Sequence, residues 1–155
     1  MTTQDRAPRP TPGRARDGAL PDAAQLNAIT QGRLPGLLEF QVTALAEDRV
    51  EATMPVRPHH LAPNGYLHAA TVVALADTAC GLGCRLSLPD GASGFTTLEL
   101  KVSYLSTARE GGIRVVADVV HGGRRTQVWD ATVVSEDGRK IALFRCTQLI
   151  LWPDS

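Results

Sequence analysis

Cysteine and aromatic residues are scarce in this chain of 155 residues, and neither sign of charge predominates. The 16 basic residues balance 16 acidic ones, so no basic face is expected for a nucleic acid or an anionic membrane surface. Three cysteines are few, and an odd number, for a disulfide framework; Cys80 and Cys84 fall inside an apolar run rather than between turns. That usage predicts a reducing compartment, the cytoplasm. The N-terminus lacks the apolar stretch of a signal peptide. The longest apolar run, residues 66–84, is broken by His68 and Asp77 and is rich in small side chains, which argues against a membrane span. No Gly-x-Ser-x-Gly elbow offers a serine nucleophile, no glycine-rich loop follows a strand to cradle phosphate, and no segment repeats.

What is present suits one globular domain: 43% of residues are hydrophobic and 21% charged. Residues 1–21 carry Pro8, Pro10, Pro12 and Pro21 among Arg6, Arg9, Arg14 and Arg16, and read as a disordered arm. The domain then spans 22–155. Asp22 is placed to cap a short helix that Gly32 stops. Strands are expected over 37–46 and 49–56, followed by a proline-containing loop and one long helix from His68 to about Leu86. Four more strand-like runs, 95–105, 113–120, 126–135 and 141–152, are separated by Gly111-Gly112, Gly122-Gly123 and Asp137-Gly138. Such short connections predict consecutive antiparallel hairpins and an α+β fold. The helix is narrow, with Ala69, Ala70, Ala74, Ala76, Ala79, Gly81 and Gly83. Glycine costs about 1 kcal/mol relative to alanine inside a helix, so these two call for a packing reason, such as a sheet curling closely around it. A curled sheet leaves edge strands open, and a second copy would cover one.

Asp77 is the most informative residue. It sits mid-helix in Val-Ala-Leu-Ala-Asp-Thr-Ala-Cys with no cation within four positions. An ionised carboxylate is almost never buried unpaired, so Asp77 either reaches solvent or lines a pocket that uses its charge. His68 stands at the start of the same helix, where free N–H groups and about half a positive charge suit an oxyanion. Nine residues at about 100° each put the two on opposite sides of the helix, roughly 13 Å apart along its axis. They serve one small site only if two chains meet. Other candidates are weaker. His59 and His60 match no zinc spacing, so no metal is expected. Cys80 and Cys84 read as small core residues. Arg124 and Arg125, on the hairpin with Gly122, suit phosphates or simply solvent. Tyr66, Phe95, Tyr104 and Trp129 suit either an aromatic pocket or the core.

These segments, Asn64-Gly-Tyr-Leu-His68, Asp77, Thr97-Leu-Glu-Leu-Lys-Val-Ser-Tyr-Leu105, His121-Gly-Gly-Arg124 and Asp137-Gly-Arg-Lys-Ile-Ala142, resemble hotdog-fold acyl-CoA thioesterases over about residues 35–151. The resemblance is to the phenylacetate-degradation and 4-hydroxybenzoyl-CoA thioesterase type. It implies a bent antiparallel sheet around one helix, dimers often paired into tetramers, and active sites at the dimer interface. It puts the helix carboxylate on Asp77, which activates water or attacks the thioester carbonyl. The carbonyl-polarising pair falls on His68 and Ala69, with alanine in place of the usual glycine, and a hydroxyl that helps hold water falls on Thr97. The Asn or Gln often found six residues before the histidine is Ala62 here; Asn64 and His60 are the candidates to replace it. The nucleotide end of CoA would fall near Gly122, Arg124 and Arg125. No cofactor is implied, CoA being part of the substrate. The alternative is a hotdog protein that binds acyl-CoA, or a related ligand, without hydrolysing it.

Overall fold

The computed structural model describes residues 20–153; most of the expected arm (residues 1–19) and the last two residues of the expected domain lie outside the described residues. Helix α1 (Ala23–Thr30) begins as expected at Asp22, whose carboxylate accepts the Gln25 N–H at 2.8 Å while the Gln25 side chain accepts the Asp22 N–H at 2.9 Å. The first strand starts later than expected. Pro35 begins a one-turn helix α2 (Leu34–Leu37), and Glu39 takes φ 57°, so extended backbone resumes only in β1 (Gln41–Ala46). Strand β2 (Arg49–Pro55) and a 3₁₀ turn (Pro58–His60) lead to the long helix α3 (Ala69–Leu86). Strands β3 (Gly94–Tyr104), β4 (Gly112–Gly122), β5 (Thr126–Ser135) and β6 (Lys140–Leu151) complete the element order.

The six strands form one antiparallel sheet in the order β1-β2-β4-β5-β6-β3. This corrects the expected run of consecutive hairpins: β3 pairs with β6 at the sheet margin, not with β4. Residues 105–111 carry the chain from that margin across β6 and β5, and Gly111 takes φ 75° to re-enter the sheet. About 3.4 Å per extended residue gives the stretch a reach of roughly 24 Å, against roughly 14 Å for three strand spacings. A glycine pair alone does not distinguish a tight turn from the end of such a crossing.

Helix α3 lies across the sheet and packs on β2, β4, β5, β6 and β3. By length and composition it could cross a membrane, but half of it is buried within the molecule. Val72, Leu75, Ala76, Ala79, Cys80, Leu82 and Cys84 meet alternate residues of the central strands, among them Val50, Ala52, Val115, Trp129 and Phe144. Full burial of such large aliphatic or aromatic side chains contributes about 1.5–3 kcal/mol each. The packing reason for Gly83 is Trp129. That indole is fully buried, and a Cβ on Gly83 would come within 2.4 Å of it. At Gly81 the added Cβ would stand 3.3 Å from the rim of Phe95, a contact that a small ring movement relieves.

The loop before α3 is fixed by His60, which is fully buried. Its carbonyl accepts the His68 N–H at 2.9 Å and the Thr71 hydroxyl at 3.2 Å. Its Nδ1 lies 3.0 Å from the Pro55 carbonyl and 3.2 Å from the Arg57 N–H, serving one or the other according to tautomer. Burial, then the charge of His59, holds the imidazole below its ordinary 6.5, so the fold favours the neutral ring.

Two outcomes follow from this packing. Gly83→Ala should destabilise the protein by about 1–3 kcal/mol in denaturant titrations despite alanine's better helix propensity, while Gly81→Ala stays near neutral. Because the unfolded chain takes up a proton on His60 at higher pH than the native one, His60 contributes stability above pH 6.5 that is lost as pH falls toward its lower native value. Melting temperature should therefore decline as pH falls below about 6.5, more shallowly in His60→Asn; equal slopes would clear His60 of the effect.

Candidate active site

Asp77 projects from the middle of α3 toward the margin where β3 begins. It is half-buried, and no Lys, Arg or His among the described residues pairs with it. Its neighbour is Thr97, whose hydroxyl lies 3.3 Å from Oδ1. A bulge between Thr97 and Glu99, with Leu98 as the extra residue, lets Thr97 face the helix while the strand pairs onward with β6. Burial pushes the Asp77 carboxyl above the ordinary carboxylate range, and the Thr97 hydrogen bond pulls the other way. The result is a carboxylate with more base strength than a solvated one.

Thr97 also faces inward, onto a residue that sequence reading did not single out. Gln148 is its register partner on β6, fully buried, with Oε1 at 3.1 Å from the same hydroxyl. The Gln148 amide donates to Cys146 Sγ at 3.3 Å, and the Cys80 and Cys146 thiols hydrogen-bond to each other. That hydrogen bond, then burial, raises Cys80, and it lowers Cys146; burial, then the charge of Cys146, drives Cys84 up to about 12. All three cysteines are buried free thiols. The signal for Gln148 in the sequence was a polar residue in phase with the inward Phe144 and Cys146.

At the other end of the helix, His68 is the N-cap of α3. Its Nδ1 accepts the Ala70 N–H at 3.0 Å, and its carbonyl accepts those of Thr71 and Val72 at 3.0 and 3.4 Å. Among the described residues nothing accepts the Ala69 N–H, which leaves it as the free amide of the first turn. Ala69 and His68 are exposed, and the Tyr104 hydroxyl donates to the Ala69 carbonyl at 3.0 Å. The structure therefore gives the helix start one available backbone donor, the Ala69 amide, while the His68 ring spends Nδ1 on capping and, with Nδ1 accepting, keeps its hydrogen on the exposed Nε2.

The remaining expected residues separate. Asn64 is exposed and spends its carbonyl oxygen on the Tyr66 N–H at 3.1 Å, closing its own turn. His60 is sealed in the loop, so within the chain neither is brought to Asp77. Gly122 and Arg124 line a cavity of about 360 Å³ with Ser87, Pro89, Gln127 and Trp152, past the C-terminal end of α3. The Arg124 guanidinium stacks 4.5 Å above the Trp152 ring, and the Trp152 N–H donates to the Arg124 carbonyl. Arg125 is exposed and does not line that cavity. Of the aromatics, Trp129 is core, Phe95 fronts Gly81 beside the Asp77 stripe of α3, Tyr104 meets Ala69, and Tyr66 sits under Arg109. No three His, Cys, Asp or Glu residues among those described group as metal ligands.

Comparison with known proteins agrees with this geometry. The family model described as thioesterase superfamily matches residues 64–142, from the Asn64 turn into β6. A 1,4-dihydroxy-2-naphthoyl-CoA hydrolase of Escherichia coli is 34% identical over 126 residues, covering 81% of this chain and 92% of that protein. A proofreading thioesterase of Cronobacter turicensis is 32% identical over 126 residues, covering 81% and 91%. Among solved structures, a mutant thioesterase of Pseudomonas aeruginosa superposes with a TM-score of 0.82 at 30% identity, covering 86% of this chain and 96% of that one. The sheet and helix form the hotdog fold, and the chain belongs to the thioesterase superfamily.

Proposed function

We propose that this protein hydrolyses acyl-CoA thioesters at a site built from two copies of the chain, with Asp77 of one copy opposite the Ala69 amide of the other. The observation that carries the reading is Asp77 itself. A carboxylate placed in an apolar helix face at a cost in stability, without a cation, is explained by the reaction it performs. Thioester hydrolysis adds water across the carbonyl–sulfur bond, giving a carboxylic acid and a free thiol. As water attacks, Asp77 takes its proton, or adds to the carbonyl directly; the Ala69 N–H at the helix start draws charge onto the carbonyl oxygen. On the general-base path the protonated Asp77 then returns its proton to the departing thiolate; on the direct path the thiolate leaves as Asp77 is acylated, and water hydrolyses the mixed anhydride to release the acid and regenerate the carboxylate. Thr97 orients the carboxylate.

The dimer is supported by the margin of the sheet. Among the described residues strand β3 has no neighbour on its outer edge, and Leu98, Leu100, Tyr104 and Leu105 are 57%, 44%, 47% and 55% exposed there. An open apolar edge of this kind invites a second strand. A dimer of dimers is the further assembly expected of the family. Arg124, with Gly122 in the cavity it shares with Trp152, and the exposed Arg125 suit the phosphates of CoA. The Escherichia coli relative's name gives an aromatic acyl group, and the proposed substrate class is an aryl or short to medium acyl chain. CoA is then substrate, no separate cofactor takes part, and the buried free thiols suit a reducing cytoplasm.

Asp77→Asn tests the reading with two readouts. Turnover of a panel of aryl and aliphatic acyl-CoAs, followed by thiol release, should fall at least about a hundredfold. Because the native carboxyl titrates above its unfolded value, ionised Asp77 costs stability once pH rises through the native value; Asn should therefore melt higher than wild type at neutral pH. Near-normal turnover in the variant overturns the assignment of Asp77. Acyl-CoA binding to the wild-type protein without thiol release favours the non-catalytic alternative, for which alanine at positions 62 and 69 is the support.

A further inference from the structure

The Thr97 hydroxyl lies within hydrogen-bond distance of two acceptors, Asp77 Oδ1 at 3.3 Å and Gln148 Oε1 at 3.1 Å, and it has one hydrogen to give. When Asp77 is ionised, that hydrogen belongs to the carboxylate, and the fully buried Gln148 oxygen faces the Thr97 oxygen with no hydrogen between them. When Asp77 is protonated, its acid O–H donates to Thr97, the hydroxyl turns inward, and Gln148 Oε1 gains its donor. Every group in the row is then satisfied. A buried acceptor without a donor costs more than a typical hydrogen bond contributes, so the two states differ in energy through a residue that never touches Asp77.

We infer that Gln148 is a positioning residue: acting through the Thr97 hydroxyl, it favours the protonated state of Asp77 and so sets the strength of the base. The inference rests on Asp77 as the catalytic carboxylate. The orientation that gives this sign is held from behind, where the Gln148 amide nitrogen donates to Cys146 Sγ. The register makes the row rigid, since Thr97 and Gln127 flank Gln148 directly on β3 and β5. Gln127 is itself locked, donating to the Ser87 carbonyl and accepting from Trp129. The titratable groups around the row are Cys80 and Cys84 on α3, Cys146 on β6 and Asp130 on β5, the last paired with Arg145 on the opposite face. Among the described residues of the same chain none is a cation facing Asp77, so within the chain the hydroxyl relay is a polar lever on its proton.

The test is the acidic limb of the kcat/KM–pH profile in wild type and Gln148→Met, which keeps length and removes the amide acceptor. The limb should move to lower pH by about half to one unit, the equivalent of one modest hydrogen bond. On a Thr97→Val background the same substitution should move it no further. A wild-type measurement covers the case of a variant that does not fold: in carbon-13 NMR the Gln148 side-chain carbonyl should titrate with the same midpoint as the Asp77 carboxyl. A limb that stays in place, or moves to higher pH because the amide nitrogen faces Thr97, overturns the inference, as does a Gln148 carbonyl that does not titrate. The NMR titration needs no turnover, so failure of Asp77 as the base, seen in Asp77→Asn, is distinguishable from failure of the relay.

Discussion

A carboxylate set into an apolar helix face, with one hydroxyl beside it and no cation, is the constraint on which the rest of the molecule turns. Asp77 is half-buried, so its charge is partly desolvated and its base strength raised. A fold optimised for stability alone would place alanine or leucine there. Here the surrounding structure keeps the acid in place: the bulge on β3 aims Thr97 at it, and the sheet behind supplies a fully buried polar row rather than more hydrocarbon.

The same helix does two unlike jobs along its length. Its buried face is tightly packed against the sheet, to the point that Gly83 leaves room for one indole and nothing larger. Its margin near β3 stays open, and its first turn leaves the Ala69 amide without an acceptor among the described residues. Since Asp77 and Ala69 lie about two turns, roughly 12 Å, apart along the axis, one chain alone cannot converge them on a small carbonyl. In the proposed dimer, the outer edge of β3, unpaired among the described residues, is the surface where a second copy would bring its own first turn within reach.

Much of this was legible in the amino-acid order. The alternation of Val, Leu and Thr marked six strands to within a few residues, Asp22 and Gly32 marked a short helix, and a lone acid in an alanine-rich run marked Asp77. What stayed hidden was mostly non-local. Gly111-Gly112 carries the same turn signal as the hairpin glycines, and only the pairing of β3 with β6 shows it to be the end of a crossing. The strand expected from residue 37 begins only at Gln41, because α2 and the positive φ of Glu39 take its first positions. Asn64 looked available for chemistry, yet its oxygen closes a local turn. Gln148 was invisible as a functional group since its importance lies in what stands opposite it on the next strand.

The most direct measurement is activity complementation between two inactive chains. Asp77→Asn removes the base, and Ala69→Pro removes the free amide at a helix position where proline's fixed φ is accommodated, His68 already being extended at φ −64°, ψ 133°. Co-expressed with different tags and purified as the mixed dimer, the pair retains one intact site of two if each site draws its acid from one copy and its amide from the other. About half of wild-type turnover is then expected. A mixed dimer as inactive as either parent contradicts a site shared between chains.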